Sequence, residues 1–358
     1  MERRMLGPTG MEVAALGFGA IKLHKISPEE ATRALNRALD LGINFIDSAR
    51  GYRDSERKIG VALKRRRDEF ILATKSHAGT AAQLRTDLET SLRELQTDYV
   101  DLYQLHSVDH DAKWQQVMAP GGAFEAARQA QQQGLVRHVG ITMHRAVHEM
   151  EQAIICGEFE TIMLACNPLD PEGVAGRIMP LARERGMGVI AMKPLSGGML
   201  TMPAELKPAG ERDPIVAGCL RFILSNPAVS VVIPGVESAA QVEENVATIE
   251  ESPRLSDQER RDLITTLGRL GKSYRYGQTC LRCGYCQPCP QGIEIPEVFR
   301  ALHVAREYPQ NLRRLGRELY ESLEVRASVC AECGECLPKC PAALPIPERL
   351  AEAVAEFE

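Results

Sequence analysis

The stretch Ser27-Pro-Glu-Glu-Ala-Thr-Arg-Ala-Leu-Asn-Arg-Ala-Leu-Asp-Leu-Gly42-Ile-Asn44-Phe-Ile-Asp47 holds one complete helix-then-strand unit. Ser27 suits an N-cap, because its hydroxyl can accept from an orphan backbone N–H, and Pro28 suits the first helical position. A helix is expected over Pro28–Leu41, ended by Gly42 as C-cap. The apolar run Asn44–Asp47 then forms a short strand that finishes on a carboxylate.

The same alternation extends in both directions. Strands are expected at Ala15–Phe18, Asn44–Asp47, Phe70–Thr74, Val100–Gln104, Val136–Ile141, Thr161–Ala165, Gly188–Met192 and Val229–Ile233. Helices are expected at Thr80–Leu95, Gly122–Gln133, Arg145–Cys156, Val174–Arg185 and Asp213–Leu224. Eight strands with intervening helices in about 250 residues match a (β/α)8 TIM barrel. The competitor, a doubly wound open sheet, calls for Gly-x-Gly-x-x-Gly after its first strand, and none follows here. Arg4–Val13, with Pro8-Thr9-Gly10 at its centre, is expected to be a hairpin ahead of the barrel.

The 358 residues suggest one large domain, 1–270, and a small one, 271–358. Hydrophobic content of 44% and charged content of 25% are ordinary for a globular chain. A net charge of -5 gives no reason to expect nucleic acid, and Lys64-Arg65-Arg66-Arg67 fits a solvated helix end. No apolar run is long enough for a membrane span, and Met1-Glu-Arg-Arg opens no apolar leader, so a cytoplasmic protein with reduced thiols is expected.

Eight of the 11 cysteines fall in two runs near the C-terminus. The first is Cys280-Leu-Arg-Cys283-Gly-Tyr-Cys286-Gln-Pro-Cys289-Pro290; the second is Cys330-Ala-Glu-Cys333-Gly-Glu-Cys336-Leu-Pro-Lys-Cys340-Pro341. The second has the C-x2-C-x2-C-x3-C-P spacing that wraps a [4Fe–4S] cluster, the fourth cysteine usually serving the other cluster of a pair. Two such clusters are therefore expected. Zinc sites normally separate two Cys pairs by a longer loop, which makes zinc the weaker alternative. The first run is one residue shorter before its last cysteine, leaving the partnership of Cys289 open. Cys156, Cys166 and Cys219 lie in apolar surroundings and are expected in the core.

In a TIM barrel the chemistry sits in the loops after the strands. Asp47, Tyr52, Lys75 and His106 all fall there. An ammonium beside a phenol favours the phenolate, and a buried carboxylate holds the ammonium charged and oriented. Tyr52, Lys75 and Asp47 supply those parts, and His106 can donate to a carbonyl oxygen. Such a tyrosine can protonate that oxygen as hydride reaches the carbon. Singly each residue is more often a cap, a rim aromatic or a solvated cation; four on successive strand ends favour a site. His24, His77 and His144 also follow strands and could line a mouth, though singly each is more often a rim residue. Trp114, in the long loop after the fourth strand, is expected either to cover a substrate or to pack on the small domain.

The motifs Phe45-Ile-Asp47-Ser-Ala-Arg-Gly-Tyr52-Arg-Asp-Ser-Glu56, Ala73-Thr-Lys75 and Asp101-Leu-Tyr-Gln-Leu-His106 resemble the signature of the aldo-keto reductases, over Leu6 to about Ala247. The whole chain resembles a subgroup with a C-terminal ferredoxin-like domain. The resemblance implies NAD(H) or NADP(H) bound without a Rossmann fold, and the tetrad Asp47, Tyr52, Lys75 and His106 with Tyr52 as general acid–base. It implies cofactor contacts at Gly19, Ala20, Asp47, Thr142, Asn167, Lys193, Pro194, Leu195, Gly197, Pro234, Gly235, Gln241 and Asn245. Its substrate would be a small carbonyl or alcohol.

The nicotinamide end departs from the family pattern. Met143 replaces an amide after strand five, Met163 stands where Gln is usual, and Met192 holds the place of a stacking aromatic. A thioether is a weak acceptor and donates nothing. At the adenosine end Gly235 and Gln241 replace the usual cations and Glu237 adds negative charge, which favours NAD(H) over NADP(H).

Helices are also expected at Asp257–Leu270, Glu297–Arg306 and Leu312–Leu323, so the small domain resembles the all-helical ferredoxin type. Ile293-Glu-Ile295-Pro296 and Leu344-Pro-Ile346-Pro347 follow the two runs as an internal repeat, supplying apolar cover for the cubes. The leading expectation is an iron–sulfur carbonyl reductase whose clusters relay electrons to a protein redox partner or serve a structural or sensing role. Nicotinamide moves two electrons as hydride and a cluster moves one, so direct coupling between them is not evident. The alternative is an electron-transfer or regulatory subunit whose barrel binds a nucleotide or partner without efficient turnover.

Overall fold

The computed structural model describes residues 1–144, 146–169, 173–201, 212–270, 280–308 and 310–358. Two strands, β1 (Arg3–Met5) and β2 (Glu12–Ala14), pair antiparallel with Arg4 opposite Val13. This hairpin covers the N-terminal end of the barrel. Arg4 donates to the carbonyl oxygens of Val229 and Leu224, and a Cβ on Gly7 would lie 2.2 Å from the Gly188 nitrogen.

The barrel alternates β3 (Phe18–Gly19), α1 (Pro28–Asp40), β4 (Phe45–Asp47), α2 (Ser55–Leu63), β5 (Ile71–Ser76), α3 (Ala81–Leu95), β6 (Val100–Leu105), α4 (Asp111–Met118), α5 (Ala123–Gln132), β7 (Val136–Met143), α6 (Val147–Ile155), β8 (Thr161–Ala165), α7 (Met179–Glu184), β9 (Gly188–Met192), α8 (Pro214–Leu224), β10 (Val229–Ile233) and α9 (Ala239–Glu251). Eight strands, β3 to β10, form one sheet in sequence order, and every pair is parallel. Single bridges, Leu16 to Val232 and Gly19 to Gly235, join its first and last strands. Glycine is required at that seam, because a Cβ on Gly19 would sit 2.7 Å from the Pro234 carbonyl oxygen.

The helices form for the reasons their ends suggest. Ser27 Oγ accepts from Glu30 N at 3.2 Å and Thr80 Oγ1 from Gln83 N at 3.3 Å. On α1, Ala31, Ala34, Leu35, Ala38 and Leu39 are buried, the one-sided stripe of a helix packed on a sheet. The expected helix Val174–Arg185 is split: a π-type turn over Val174–Ile178 precedes α7. Arg145, the expected first residue of the next upstream helix, lies outside the described residues. Cys166 and Cys219 are core residues, whereas Cys156 is exposed at the end of α6, where the apolar stripe has rotated away.

The described chain divides into two compact units, Met1–Pro194 with Gly210–Leu255 and Leu195–Ala209 with Ser256–Glu358. The second is helical: α10 (Asp257–Leu270), α11 (Ile295–Glu307), α12 (Arg314–Glu321) and α13 (Ile346–Phe357). Both Ile-Pro pairs open a helix, Ile295-Pro296 at α11 and Ile346-Pro347 at α13, and both isoleucines are buried beside the cysteines. Arg306 on α11 bonds Glu352 and Glu356 on α13. Among the described residues no helix is long and apolar enough to cross a membrane.

Candidate functional site

The C-terminal ends of β4, β5 and β6 carry the polar centre of the barrel. Asp47 and Lys75 are the last and next-to-last residues of β4 and β5, and both are buried. Lys75 Nζ donates to Asp47 Oδ2 at 2.5 Å and to the Ser48 carbonyl oxygen at 2.7 Å. Gln104 Nε2 donates to Asp47 Oδ1 at 3.1 Å, so both carboxylate oxygens are held. Burial raises the Asp47 carboxyl, with the Lys75 charge opposing it, and lowers the Lys75 ammonium, with the Asp47 charge opposing that.

Tyr52, only 8% exposed, lies over this pair. Lys75 Nζ is 4.9 Å from its ring centroid. The Tyr52 and His106 rings meet edge-on at 5.9 Å. Burial drives His106 well below the usual imidazole range, helped by His77 and Lys75, so the ring is neutral. The structure thus brings together all four residues expected from the strand ends, a phenol and a neutral imidazole meeting edge-on beside a buried cation.

Three histidines surround them in different ways. His77, an exposed residue, stacks on His106 with centroids 3.8 Å apart. His144 is not on the rim but fully buried: its Nδ1 lies 2.9 Å from Asp109 Oδ2, and its backbone N donates to Asp109 Oδ1 at 2.5 Å. His24 is half-buried, its Nδ1 2.7 Å from the Ile21 carbonyl oxygen. Trp114 packs toward Phe159, with centroids 6.3 Å apart.

The cofactor candidates scatter more widely. Thr142, at the end of β7, accepts from Ser107 N at 2.9 Å through its hydroxyl oxygen. Met143 and Met163 are fully buried on neighbouring strands. Asn167 is also fully buried. Its Oδ1 accepts from Leu169 N at 3.0 Å, while its Nδ2 has no partner among the described residues. An enclosed amide donor of this kind suits the carboxamide oxygen of a nicotinamide. Gly235 follows β10, and Asn245 is buried on α9. Gln241 is committed locally, its Oε1 accepting from Glu237 N at 2.8 Å. A cation absent from the sequence reading stands here: Lys22 pairs with Glu237 at 2.7 Å, and its side chain is what a Cβ on Gly235 would meet. Lys193 and Pro194 end the first segment of the first unit, whereas Leu195 and Gly197 belong to the second unit.

In the second unit the cysteines form two groups, each mixing the two runs. Cys280 has Cys283 and Cys340 as neighbouring sulfurs; Cys286 has Cys280, Cys283 and Cys340. Cys336 has Cys333, Cys330 and Cys289. Cys280, Cys283, Cys286 and Cys340 line one largely apolar cavity with Ile295, Phe299 and Ile346. Burial, then the Cys283 sulfur, pushes the Cys280 thiol up to about 12, and burial raises Cys286 and Cys336 as well. Enclosed thiols of this kind become thiolates when iron is there to hold the charge. Four sulfurs under an apolar cover fit a cube.

Residues 15–213 match the Aldo/keto reductase family. The chain belongs to that family. Residues 279–345 match a 4Fe-4S dicluster domain. The chain is 31% identical to L-galactose dehydrogenase of Arabidopsis thaliana over 296 residues, 72% of this chain and 92% of that one. It is 26% identical to 6-dehydroglucose reductase of Novosphingobium aromaticivorans over 281 residues, 69% of this chain and 90% of that one. Among solved structures, the holo form of an aldo-keto reductase from Bacillus halodurans superposes with a TM-score of 0.62 at 29% identity, covering 74% of this chain and 96% of that one. This aldo/keto reductase is therefore an oxidoreductase-type barrel joined to a 4Fe–4S domain.

Proposed function

We propose that the chain reduces a small carbonyl, or oxidises the corresponding alcohol, with NAD(H) or NADP(H), Tyr52 being the general acid–base. The observation that carries this reading is the buried Asp47–Lys75 pair, 2.5 Å apart, directly beneath the Tyr52 ring. Bound nicotinamide would supply or accept the hydride. Lys75 stabilises the phenolate left when Tyr52 gives its proton to the carbonyl oxygen. Asp47, fixed by Gln104, keeps Lys75 charged and pointed upward. His106, neutral, donates to the same oxygen and sets the direction from which the carbonyl enters.

Asn167 is the residue best suited to the carboxamide, its Nδ2 being enclosed and free to donate. Gly235 and Asn245 would border the adenosine end, and Glu237 there favours NAD(H). Two relatives are named for sugar chemistry, L-galactose dehydrogenase and 6-dehydroglucose reductase, so polyhydroxylated aldehydes and alcohols are the first class to assay.

The sulfur groups support two [4Fe–4S] clusters, one on Cys280, Cys283, Cys286 and Cys340, the other on Cys330, Cys333, Cys336 and Cys289. A regulatory or electron-transfer subunit is the second reading. Met143 and Met163 favour it, since two buried thioethers stand where amides would grip the nicotinamide. Replacing Tyr52 by Phe separates the two readings. The first expects carbonyl reduction to be lost with nucleotide binding kept; unchanged turnover would remove Tyr52 from the chemistry.

A further inference from the structure

The loop after β6 is tied down on both sides, by residues of the first unit alone. His106 N donates to the Ser76 carbonyl oxygen, at the end of β5, at 3.0 Å. The next two residues are bound to the end of β7. Ser107 N donates to Thr142 Oγ1 at 2.9 Å, and Val108 N to the Thr142 carbonyl oxygen at 3.0 Å. Between these ties Ser107 has φ of 58°. A residue with a Cβ keeps that left-handed backbone only where its surroundings impose it.

Asp109 supplies the constraint. Its Oδ2 accepts from Ser107 Oγ at 2.5 Å and from His144 Nδ1 at 2.9 Å, and its Oδ1 accepts from the His144 backbone N at 2.5 Å. The His144 side chain is fully enclosed, and that of Asp109 is 5% exposed. Burial alone would raise the Asp109 carboxyl, but the nearby His144 and the hydrogen bonds from His144 and Ser107 outweigh it and hold it below the usual carboxylate range. An ionised carboxylate thus joins the residue after His106 to the residue that follows β7.

Ser107, His144 and Asp109 are not arranged as a nucleophile triad. Ser107 Oγ and Asp109 Oδ2 approach the same ring nitrogen, Nδ1, at 3.4 and 2.9 Å, whereas a triad places hydroxyl and carboxylate on opposite nitrogens. The use of the cluster lies next to it. His106 immediately precedes Ser107, and its ring meets Tyr52 edge-on at 5.9 Å and stacks on His77. His144 stands near enough to depress both rings of that stack.

We infer that Asp109 is a positioning residue: through Ser107 and His144 it locks the turn that follows His106, and so holds that imidazole edge-on to Tyr52. Its effect on turnover rests on the reading of Tyr52 and His106 proposed above; its effect on geometry does not.

The test combines crystal structures with reduction kinetics of full-length, iron-replete wild type, Asp109→Ala and Asp109→Asn, using glyceraldehyde with NADH and NADPH as probes. Asp109→Ala should release Ser107 from its left-handed backbone and move the His106 ring away from Tyr52. It should lower kcat/KM about 10- to 100-fold, the scale of an ångström-sized misplacement. Asp109→Asn keeps an acceptor oxygen and should recover part of both. In a His106→Ala background the Asp109→Ala change should lower kcat/KM little further, because the two residues act through one group. An equal loss in both backgrounds would overturn the inference, and so would Ser107 and His106 unmoved in Asp109→Ala. Should Asp109→Ala fail to fold, Ser107→Ala, which removes one hydroxyl, takes its place and should shift both measurements in the same direction. A wild type without turnover would count against the Tyr52 reading alone, and the position of His106 in the variants then decides the anchor.

Discussion

The imidazole rings of His77 and His106 stack 3.8 Å apart, 16° from parallel. An exposed histidine therefore lids a buried one. His77 keeps an exposed side, but its ring is desolvated where it stacks on His106, and this, then the nearby His144 and Lys113, lowers it to about 4, so neither ring of the stack carries charge at neutral pH. Two neutral rings can lie face to face; two imidazolium ions could not. Removing the lid in His77→Ala should admit water to His106 and reduce kcat/KM about 3- to 10-fold, the scale of one lost packing or positioning contact. The pH–rate profile should lose its flatness between pH 5 and 7 as His106 gains solvent. A profile identical to wild type would assign the stack no part in turnover.

The same burial predicts how stability follows pH. His106 is held well below 6.5 in the folded chain, whereas the unfolded chain takes up a proton near 6.5. The unfolded state thus binds more protons below that value, and stability falls as pH drops from about 7 toward 5. Urea unfolding at pH 7.5 and 5.5 measures this, with His106→Gln as reference. The variant should lose less on acidification than the wild type.

Asp47 and Lys75 stabilise each other only as a pair. Asp47→Ala would leave the enclosed Lys75 ammonium with the neutral Ser48 carbonyl but no counter-charge bonded to it, at a cost of about 3–5 kcal/mol. Asp47→Asn keeps an acceptor for Lys75 and should cost less. Urea midpoints of the iron-loaded proteins rank the two. In turnover, Tyr52→Phe should lower kcat/KM by about 10²–10⁴ with nucleotide affinity preserved.

Lys22 is ion-paired with Glu237, beside Gly235 at the expected adenosine end. Glu237→Gln removes that negative charge and should raise kcat/KM for NADPH relative to NADH by about tenfold, the scale of one charge-assisted hydrogen bond. An unchanged NADPH/NADH ratio would mean that Lys22 does not reach the 2′-phosphate.

The crossed sulfur groups predict which cysteine serves which cube. Cys340→Ser should deplete the cluster of Cys280, Cys283 and Cys286, and Cys289→Ser that of Cys330, Cys333 and Cys336. Each variant should hold about four iron atoms rather than about eight. Electron paramagnetic resonance of the reduced protein should lose the interaction between paired clusters in both.

Much of this architecture is legible where one period dominates. Thr161–Ala165, Gly188–Met192 and Val229–Ile233 are wholly buried strands whose ends coincide with their apolar runs. The first strand is displaced, because only Phe18 and Gly19 make regular pairs and Leu16 contributes a lone bridge. Helix α2 escapes an apolar-stripe reading because it buries Ser55, Glu56 and Lys58. Helix α4 escapes because Val117 alone is buried. In the candidate site, strand-end position was enough to nominate Asp47, Tyr52, Lys75 and His106. Lys22 was missed because its partner Glu237 is 215 positions away. The crossing of Cys340 was expected from the spacing of its run, whereas that of Cys289, whose run is one residue shorter, depends on how α11 and α13 fold the two runs together.

The chain passes between its two units three times, after Pro194, after Ala209 and after Leu255. The iron–sulfur part is thus not a detachable tail. A polypeptide stopped at Leu255 would keep only the Leu195–Ala209 piece of the second unit.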